Sequence, residues 1–248
     1  MRKTSVVGLL MLFCVIPAQA GEVHVAVAAN FTAPMKVIAA EFEKATGHQA
    51  KLSFGSTGKF YAQISNGAPF ELLLSADDET PARMEREGLA VAGTRITYAF
   101  GKLVLWSSKV DVIDGQVEVL KKGNFKYLSI AAPKLAPYGA AAIQTLKGLD
   151  LLAAIEPKLV QGENIAQAYQ FVATGNADLG FVALSQVQEN GQIKSGSAWV
   201  VPDNLYSPIR QDMVILNKGR TNPAAKELLK FIKSEAARAI ILSYGYAL

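Results

Sequence analysis

The sequence predicts an α/β protein of two lobes, each a doubly wound, mostly parallel sheet flanked by helices. Three observations carry this. Short apolar strands alternate with helices in βαβ units, as in parallel sheets covered on both faces. A long strand-like stretch, Thr97 to Ser107, reads as a crossing between lobes. The strand-like segments Ser197–Pro202 and Ile209–Leu216 read as the way back. The first lobe then contains both ends of the chain (21–101 and 205–248), and the second (102–204) is inserted. A ligand belongs in the cleft beyond the carboxyl ends of the strands.

Val23–Ala28 is the first strand. Pro34–Ala45 is helical, with Met35, Ile38, Ala39 and Phe42 on one face and Thr46-Gly47 as the stop. Lys51–Phe54 is the second strand. Lys59–Ser65 is a short helix with Phe60 and Ile64 on one side, ended by Asn66-Gly67. Leu72–Ser75 is a buried strand, and Thr80–Glu87 is a helix closed by Gly88. In the second lobe Leu128–Ala131 is a strand, Ala140–Lys147 and Ile165–Thr174 are helices, and Leu179–Ala183 is a short apolar strand. A last helix, Pro223–Ser243, presents Leu228, Leu229, Ile232, Ala236, Ala239 and Ile240 to a core.

The first twenty residues stand apart. Arg2 and Lys3 precede an apolar run, and Pro17-Ala18-Gln19-Ala20 ends in a small-x-small pattern, so a secretory signal peptide with cleavage after Ala20 is expected. The run is shorter than the roughly 20 residues a membrane span needs. Phe13 before Cys14 argues against a lipoprotein. Cys14 is the only cysteine, so disulfides, a thiol nucleophile and thiolate metal sites are excluded from the mature chain. About 228 residues remain, enough for one large domain or two small ones. Without Arg2 and Lys3 the chain has 23 basic and 21 acidic residues, a net charge of +2. That is too weak and dispersed to point to nucleic acid or an anionic membrane.

Two turns stand out. Each leads from a strand into a helix, VHVAVAANFTAPM (Val23–Met35) and KLSFGSTGKF (Lys51–Phe60), through small neutral polar residues without a carboxylate. Free N–H groups at a helix N-terminus attract anions. Asn30 also fits an ordinary N-cap for the helix at Pro34. Ser56 and Thr57 lie between Gly55 and Gly58, which allow close backbone approach, and two hydroxyls exceed what one cap needs. Gly58-Lys59 is not a nucleotide loop, because Phe60 follows and no glycine lies five residues before Gly58; Lys59 is expected to be solvated. Tyr138 and Ile165 open the helices after Pro137 and Asn164. The acidic run Asp77-Asp78-Glu79 reads as a cap for the helix near Pro81 rather than a cation site. His24 and His48 are the only histidines, and no hydrolase motif appears, so an exported α/β hydrolase is disfavoured and no enzymatic activity is expected. Trp106 and Trp199 read as core.

VAVAANFTAPMKVIAAEFEKATGHQ, SFGSTGKFYAQISNGAPFELLLSADDE and LLKFIKSEAARAIILSYGYAL together resemble the periplasmic molybdate-binding proteins of ABC importers, over essentially the whole mature chain. The second segment is the most specific. The resemblance implies the type II periplasmic binding fold and a monomeric, periplasmic carrier. It implies molybdate or tungstate held by neutral donors without a cofactor, and delivery to a membrane permease. By the same resemblance the ligand contacts fall on Asn30, on Thr57 with Ser56 beside it, on Tyr138, and on the backbone of Ile165. Two positions depart from the family. Asn30 stands for a serine, and Ala183 stands where some members carry a tyrosine, so the Tyr138 hydroxyl is expected to replace that donor. Rival ligands in the same fold are a sulfate-like oxyanion or an Fe(III)–anion complex; a tyrosine cluster or basic pocket, which would favour iron, is not evident in the sequence. A site of donors alone also rejects protonated oxyanions such as hydrogen phosphate, whose proton finds no acceptor.

Overall fold

The computed structural model describes residues 20–248, so the signal-peptide reading and Cys14 lie outside the described residues. Strand β1 (Glu22–Ala28) leads through a 3-10 turn (Ala29–Phe31) into helix α1 (Thr32–Thr46), which Gly47 ends in the left-handed conformation. There follow β2 (Gln49–Gly55), α2 (Thr57–Ser65), β3 (Leu72–Leu74), α3 (Glu79–Arg86), β4 (Ile96–Gly101) and β5 (Leu103–Ser107). The second half contains α4 (Glu118–Lys122), β6 (Leu128–Ala131), α5 (Pro137–Gly148), α6 (Leu152–Ile155), β7 (Leu159–Gly162), α7 (Ile165–Ala173), β8 (Leu179–Ala183) and α8 (Leu184–Val187). A small hairpin, β9 (Gln188–Glu189) and β10 (Gln192–Ile193), precedes β11 (Ser197–Val200), β12 (Ile209–Ile215), α9 (Pro223–Phe231) and α10 (Glu235–Ser243).

The strands form two five-stranded sheets, ordered β2-β1-β3-β12-β4 and β11-β5-β8-β6-β7. In each, one strand runs against the other four: β12 in the first sheet and β5 in the second. The reason is topological. The parallel strands point their carboxyl ends at the cleft between lobes, and a chain arriving from the other lobe enters at that end. It must therefore run the opposite way. The stretch Thr97–Ser107 is accordingly two strands, β4 in one sheet and β5 in the other, separated only by Lys102.

Both faces of each sheet are covered. Phe31, Met35, Ile38 and Phe42 pack with Val25, Leu72, Leu74 and Met213 on one side of the first sheet. Phe60, Met84 and Val214 fill the other. In the second lobe Leu105, Ile130 and Phe181 face α5 with Ala142 and Leu146, and Trp106 packs with Val172 and Val182 behind.

The expected last helix is two helices. Ser234 accepts from the Ala237 N–H at 3.3 Å and starts a second helix, so Leu228 of α9 and Ile241 of α10 reach the same core from separate segments. Strand β7 and the β9–β10 hairpin carry no clear sequence signal. β7 is a short edge strand, LVQG, and its pairing to β6 is what places it. Trp106 is buried and Trp199 is packed against the second core.

Candidate functional site

Four helices open at strand ends that face one another. β1 and β2 are neighbours in the first sheet and deliver Asn30 and Ser56-Thr57; β6 and β7 are neighbours in the second and deliver Tyr138 and Ile165. All five residues are 1–3 % exposed and line one narrow cavity of about 10 Å³ between the lobes. The remaining lining is alanine, glycine, Pro137 and Asn164, without a charged side chain. The sequence expectation thus names five residues from both lobes that the structure brings to one place.

Each presents itself differently. Ser56 precedes α2 in extended conformation, yet its hydroxyl caps nothing. Among the described residues Ser56 Oγ is the one buried side-chain polar atom without a hydrogen-bond partner. Leaving such a group unmade costs about 1–3 kcal/mol, and Ser56 belongs to the lining of the cavity. Thr57 Oγ1, next along the chain, accepts from the Ala76 N–H at 3.0 Å, with Ser75 Oγ at 3.3 Å. It ties α2 to the end of β3 while keeping its own proton.

Asn30 is not a cap. α1 begins at Thr32, and the amide of Asn30 instead donates to Gln211 Oε1 at 2.8 Å and to the Tyr246 hydroxyl at 2.9 Å. Both amide hydrogens are therefore spent, and the residue's remaining donor is its backbone N–H. Its carbonyl oxygen accepts from Ser185 Oγ and from Tyr246, both at 2.9 Å.

Ile165 is the first residue of α7. The side chain of Asn164 accepts from the N–H groups of Ala166 and Gln167 at 2.9 and 3.1 Å. The Ile165 N–H is left over, as helix geometry requires for a first residue. α5 opens with Pro137, which has no N–H, so Tyr138 supplies the first free backbone donor there. The Tyr138 hydroxyl accepts from Gln211 Nε2 at 3.2 Å. Ala183, at the position of the absent tyrosine, uses its N–H on Gln186 Oε1 at 2.9 Å.

The site is neutral but electropositive. Burial pushes the phenols of Tyr98 and Tyr138 well above their ordinary range, and that of Tyr246 up to about 12. All three stay protonated near neutrality. The N-termini of α2, α5 and α7 add partial positive charge. Asp77, next to the lining residue Ala76, is a carboxylate that accepts from Ser75 Oγ, Thr80 N–H and the Thr80 hydroxyl at 3.0, 2.9 and 3.1 Å. The acidic run is thus a cap, as expected, through Asp77. Among the described residues no cluster of histidine, cysteine and carboxylate side chains could hold a metal ion.

The lobes touch around the cavity. The Gly58 N–H donates to Leu135 O at 2.9 Å. A Cβ at Gly58 would stand 3.1 Å from Leu135 Cα and 3.2 Å from its oxygen, so glycine permits the approach. Lys59, expected to be solvated, forms an ion pair with Glu163 across the cleft. Helix α2 faces the second lobe, which is why its first exposed cation finds a partner there. Residues that sequence reasoning missed are Gln211, Tyr98, Tyr246 and Ser185, which hold Asn30 and Tyr138 from behind. Their polar side chains in apolar strands and at the chain terminus were the only available signal.

The bacterial extracellular solute-binding protein family model matches residues 23–247. The chain belongs to that family. It is 60 % identical over 247 residues to the molybdate-binding protein ModA of Azotobacter vinelandii, covering 100 % of this chain and 97 % of the relative. It is 51 % identical to ModA of Rhodobacter capsulatus, covering 96 % and 92 %. The solved structure of the Azotobacter vinelandii periplasmic molybdate-binding protein superposes with a TM-score of 0.87 at 41 % identity, covering 91 % of this chain and 99 % of that one. The sulfate-binding protein SubI of Mycobacterium tuberculosis superposes at 0.74 with 12 % identity, a likeness of fold.

Proposed function

We propose that this solute-binding protein holds molybdate, and tungstate, between its lobes and delivers it to an ABC importer. It acts as a periplasmic monomer, released from a signal peptide after Ala20 and without enzymatic activity or cofactor. The observation that carries this is the cavity itself. Asn30, Ser56 and Thr57 from the first lobe meet Tyr138 and Ile165 from the second, and an unpartnered Ser56 hydroxyl aims at a space with no charged lining. Residues 21–101 with 205–248 form the lobe of the first three, and residues 102–204 the other.

The oxyanion's charge is met by hydrogen bonds and helix termini alone. A hydrogen bond to a charged group contributes about 1.5–3 kcal/mol. Seven such bonds outweigh the cost of association. The Ser56 and Thr57 hydroxyls, the N–H groups of Asn30, Thr57, Tyr138 and Ile165, and the Tyr138 hydroxyl supply them. Closure is coupled to binding because the donors are divided between lobes, so the anion favours the closed form the permease meets.

A thermal-shift series with molybdate, tungstate, sulfate and phosphate tests the reading. Ligand at about 1,000 times its dissociation constant adds roughly 4.1 kcal/mol, which for a chain of this size is roughly 8–16 °C. Molybdate and tungstate should give that shift and phosphate none. Equal shifts with sulfate would remove the selectivity, and no shift with any oxyanion would remove the function.

A further inference from the structure

We propose that Gln211, on the strand that returns from the second lobe to the first, is a positioning residue that turns the Tyr138 hydroxyl proton toward the bound anion. This rests on the molybdate reading and adds to it a residue outside the cavity lining.

Gln211 is fully buried, at a register shift between itself and Asp212 in the pairing of β12 with β4. Its carboxamide has one accepting and one donating end. The accepting end, Oε1, takes an Asn30 amide hydrogen at 2.8 Å and lies 2.9 Å from the Tyr98 hydroxyl, whose single proton is shared between it and Ser75 O at 2.8 Å. The donating end, Nε2, is left to face Tyr138, 3.2 Å away. A phenol has one proton. With its oxygen accepting an N–H from Gln211, that proton cannot point at Gln211 and turns to an acceptor on another side, where the Tyr246 hydroxyl and the anion are the candidates. A hydroxyl that accepts a hydrogen bond also becomes a better donor.

The crossing between lobes holds this pair in place. A Cβ at Gly101 would fall 2.0 Å from the Tyr138 hydroxyl oxygen and 2.5 Å from Gln211 Nε2, so both rest against bare backbone at the end of β4. Gln211 therefore joins three segments: the turn of Asn30, the crossing at Gly101 and the opening of α5. One carboxamide sets the orientation of donors in both lobes.

Replacing the amide by a carboxylate reverses the direction. In Gln211→Glu the ionised side chain can only accept, so the Tyr138 proton turns to it and away from the anion. Protonation returns one donor. The groups facing this position are Asn30, Tyr98, Tyr138 and Tyr246. The nearby charges are Asp77, Asp212 with its partner Arg95, and Arg210.

Titration calorimetry with sodium molybdate between pH 6 and 8.5 tests this in four proteins: wild type, Gln211→Glu, Tyr138→Phe and the double variant. Wild-type affinity should be flat. Gln211→Glu should bind about 100-fold more weakly at pH 8.5 and regain at least about tenfold by pH 6. In the Tyr138→Phe background the same change should cost at least tenfold less. Equal cost in both backgrounds, or no dependence on pH, overturns the proposal, because a buried charge alone would then explain the loss. Absence of binding by the wild type would instead overturn the molybdate reading. If Gln211→Glu does not fold, Gln211→Met repeats the cycle without charge: Tyr138→Phe should cost at least about threefold less in it than in the wild type, and an undiminished cost overturns the proposal.

Discussion

The two halves of the cavity present their hydrogens in different ways. The first lobe offers side chains, Ser56 and Thr57, on a turn tied to Ala76, beside the turn of Asn30, which Gln211 and Tyr246 brace from behind. The second offers mainly backbone, the N–H groups of Tyr138 and Ile165, freed by a proline at one helix opening and by the Asn164 cap at the other. The first half is tied into its own sheet, whereas the second completes the ring only when the lobes meet. Under the proposed function, a site divided like this needs both lobes to hold the anion.

Blocking the meeting of the lobes should therefore have the largest effect. Gly58→Val places a branched side chain against Leu135 and keeps the second half away from the anion. Losing even the two backbone hydrogen bonds of Tyr138 and Ile165 at once costs roughly 1,000-fold in molybdate affinity by calorimetry. The unliganded melting temperature should be unchanged, since the side chain meets the other lobe and not its own core. Retained affinity would show that closure does not supply the second set of donors.

Ser56→Ala separates a ligand-facing hydroxyl from a structural one. It removes a donor that has no partner in the protein, so affinity should fall about 10- to 100-fold while the unliganded protein melts at the same temperature or higher. Thr57→Ala removes the acceptor for the Ala76 N–H as well, so it should also lower the unliganded melting temperature by roughly 2–4 °C, the equivalent of about 1 kcal/mol. Identical behaviour of the two variants would erase the distinction between the neighbouring hydroxyls.

On the backbone side Asn164→Ala is the corresponding probe. Loss of the cap costs about 1 kcal/mol and loosens the first turn of α7, so affinity should fall roughly three- to tenfold. A glycine at the same position should cost less, because glycine tolerates the extended cap conformation. Loss beyond that of Ser56→Ala would mean the Asn164 side chain itself touches the anion.

The same contrast explains what could be read from sequence. The half built from side chains was legible because hydroxyls between two glycines at a strand–helix turn are chemically conspicuous. The backbone half left only indirect traces, a proline and an asparagine before a helix, and the resemblance to known proteins pointed to it. The braces were invisible, since Gln211 and Tyr246 lie 181 and 216 residues from Asn30 in sequence and only the return of the chain to the first sheet brings them there. Strand periodicity gave β1, β3 and β8, but the break at Ser234 was hidden because the apolar spacing of α9 runs on into α10. The Lys59–Glu163 pair was missed for the same reason as the braces: its partner sits on the other lobe.

The smallest effect should come from a carboxylate beside the neutral ring. Asp77 borders the mouth of the cleft with Thr57 and Ala76, and burial raises its pKa above the ordinary 3.8 despite the hydrogen bonds from Thr80 and Ser75. An acid whose pKa is raised by folding keeps its proton longer in the folded state. Stability is therefore lost as pH rises from 3.8 through the raised value, and the cost is fully present at neutrality. Asp77→Asn keeps a carbonyl oxygen for the Thr80 N–H and removes that cost, so the melting temperature at pH 7 should not fall, and the gain should disappear below the window. It also removes a negative charge near the anion, and molybdate affinity should rise by less than about tenfold, more at low salt than at high. A fall in affinity would mean that Asp77 supports the Ser56–Thr57 turn more than it repels the ligand. The first half of the site would then depend on a charge for its geometry, as the second half depends on none.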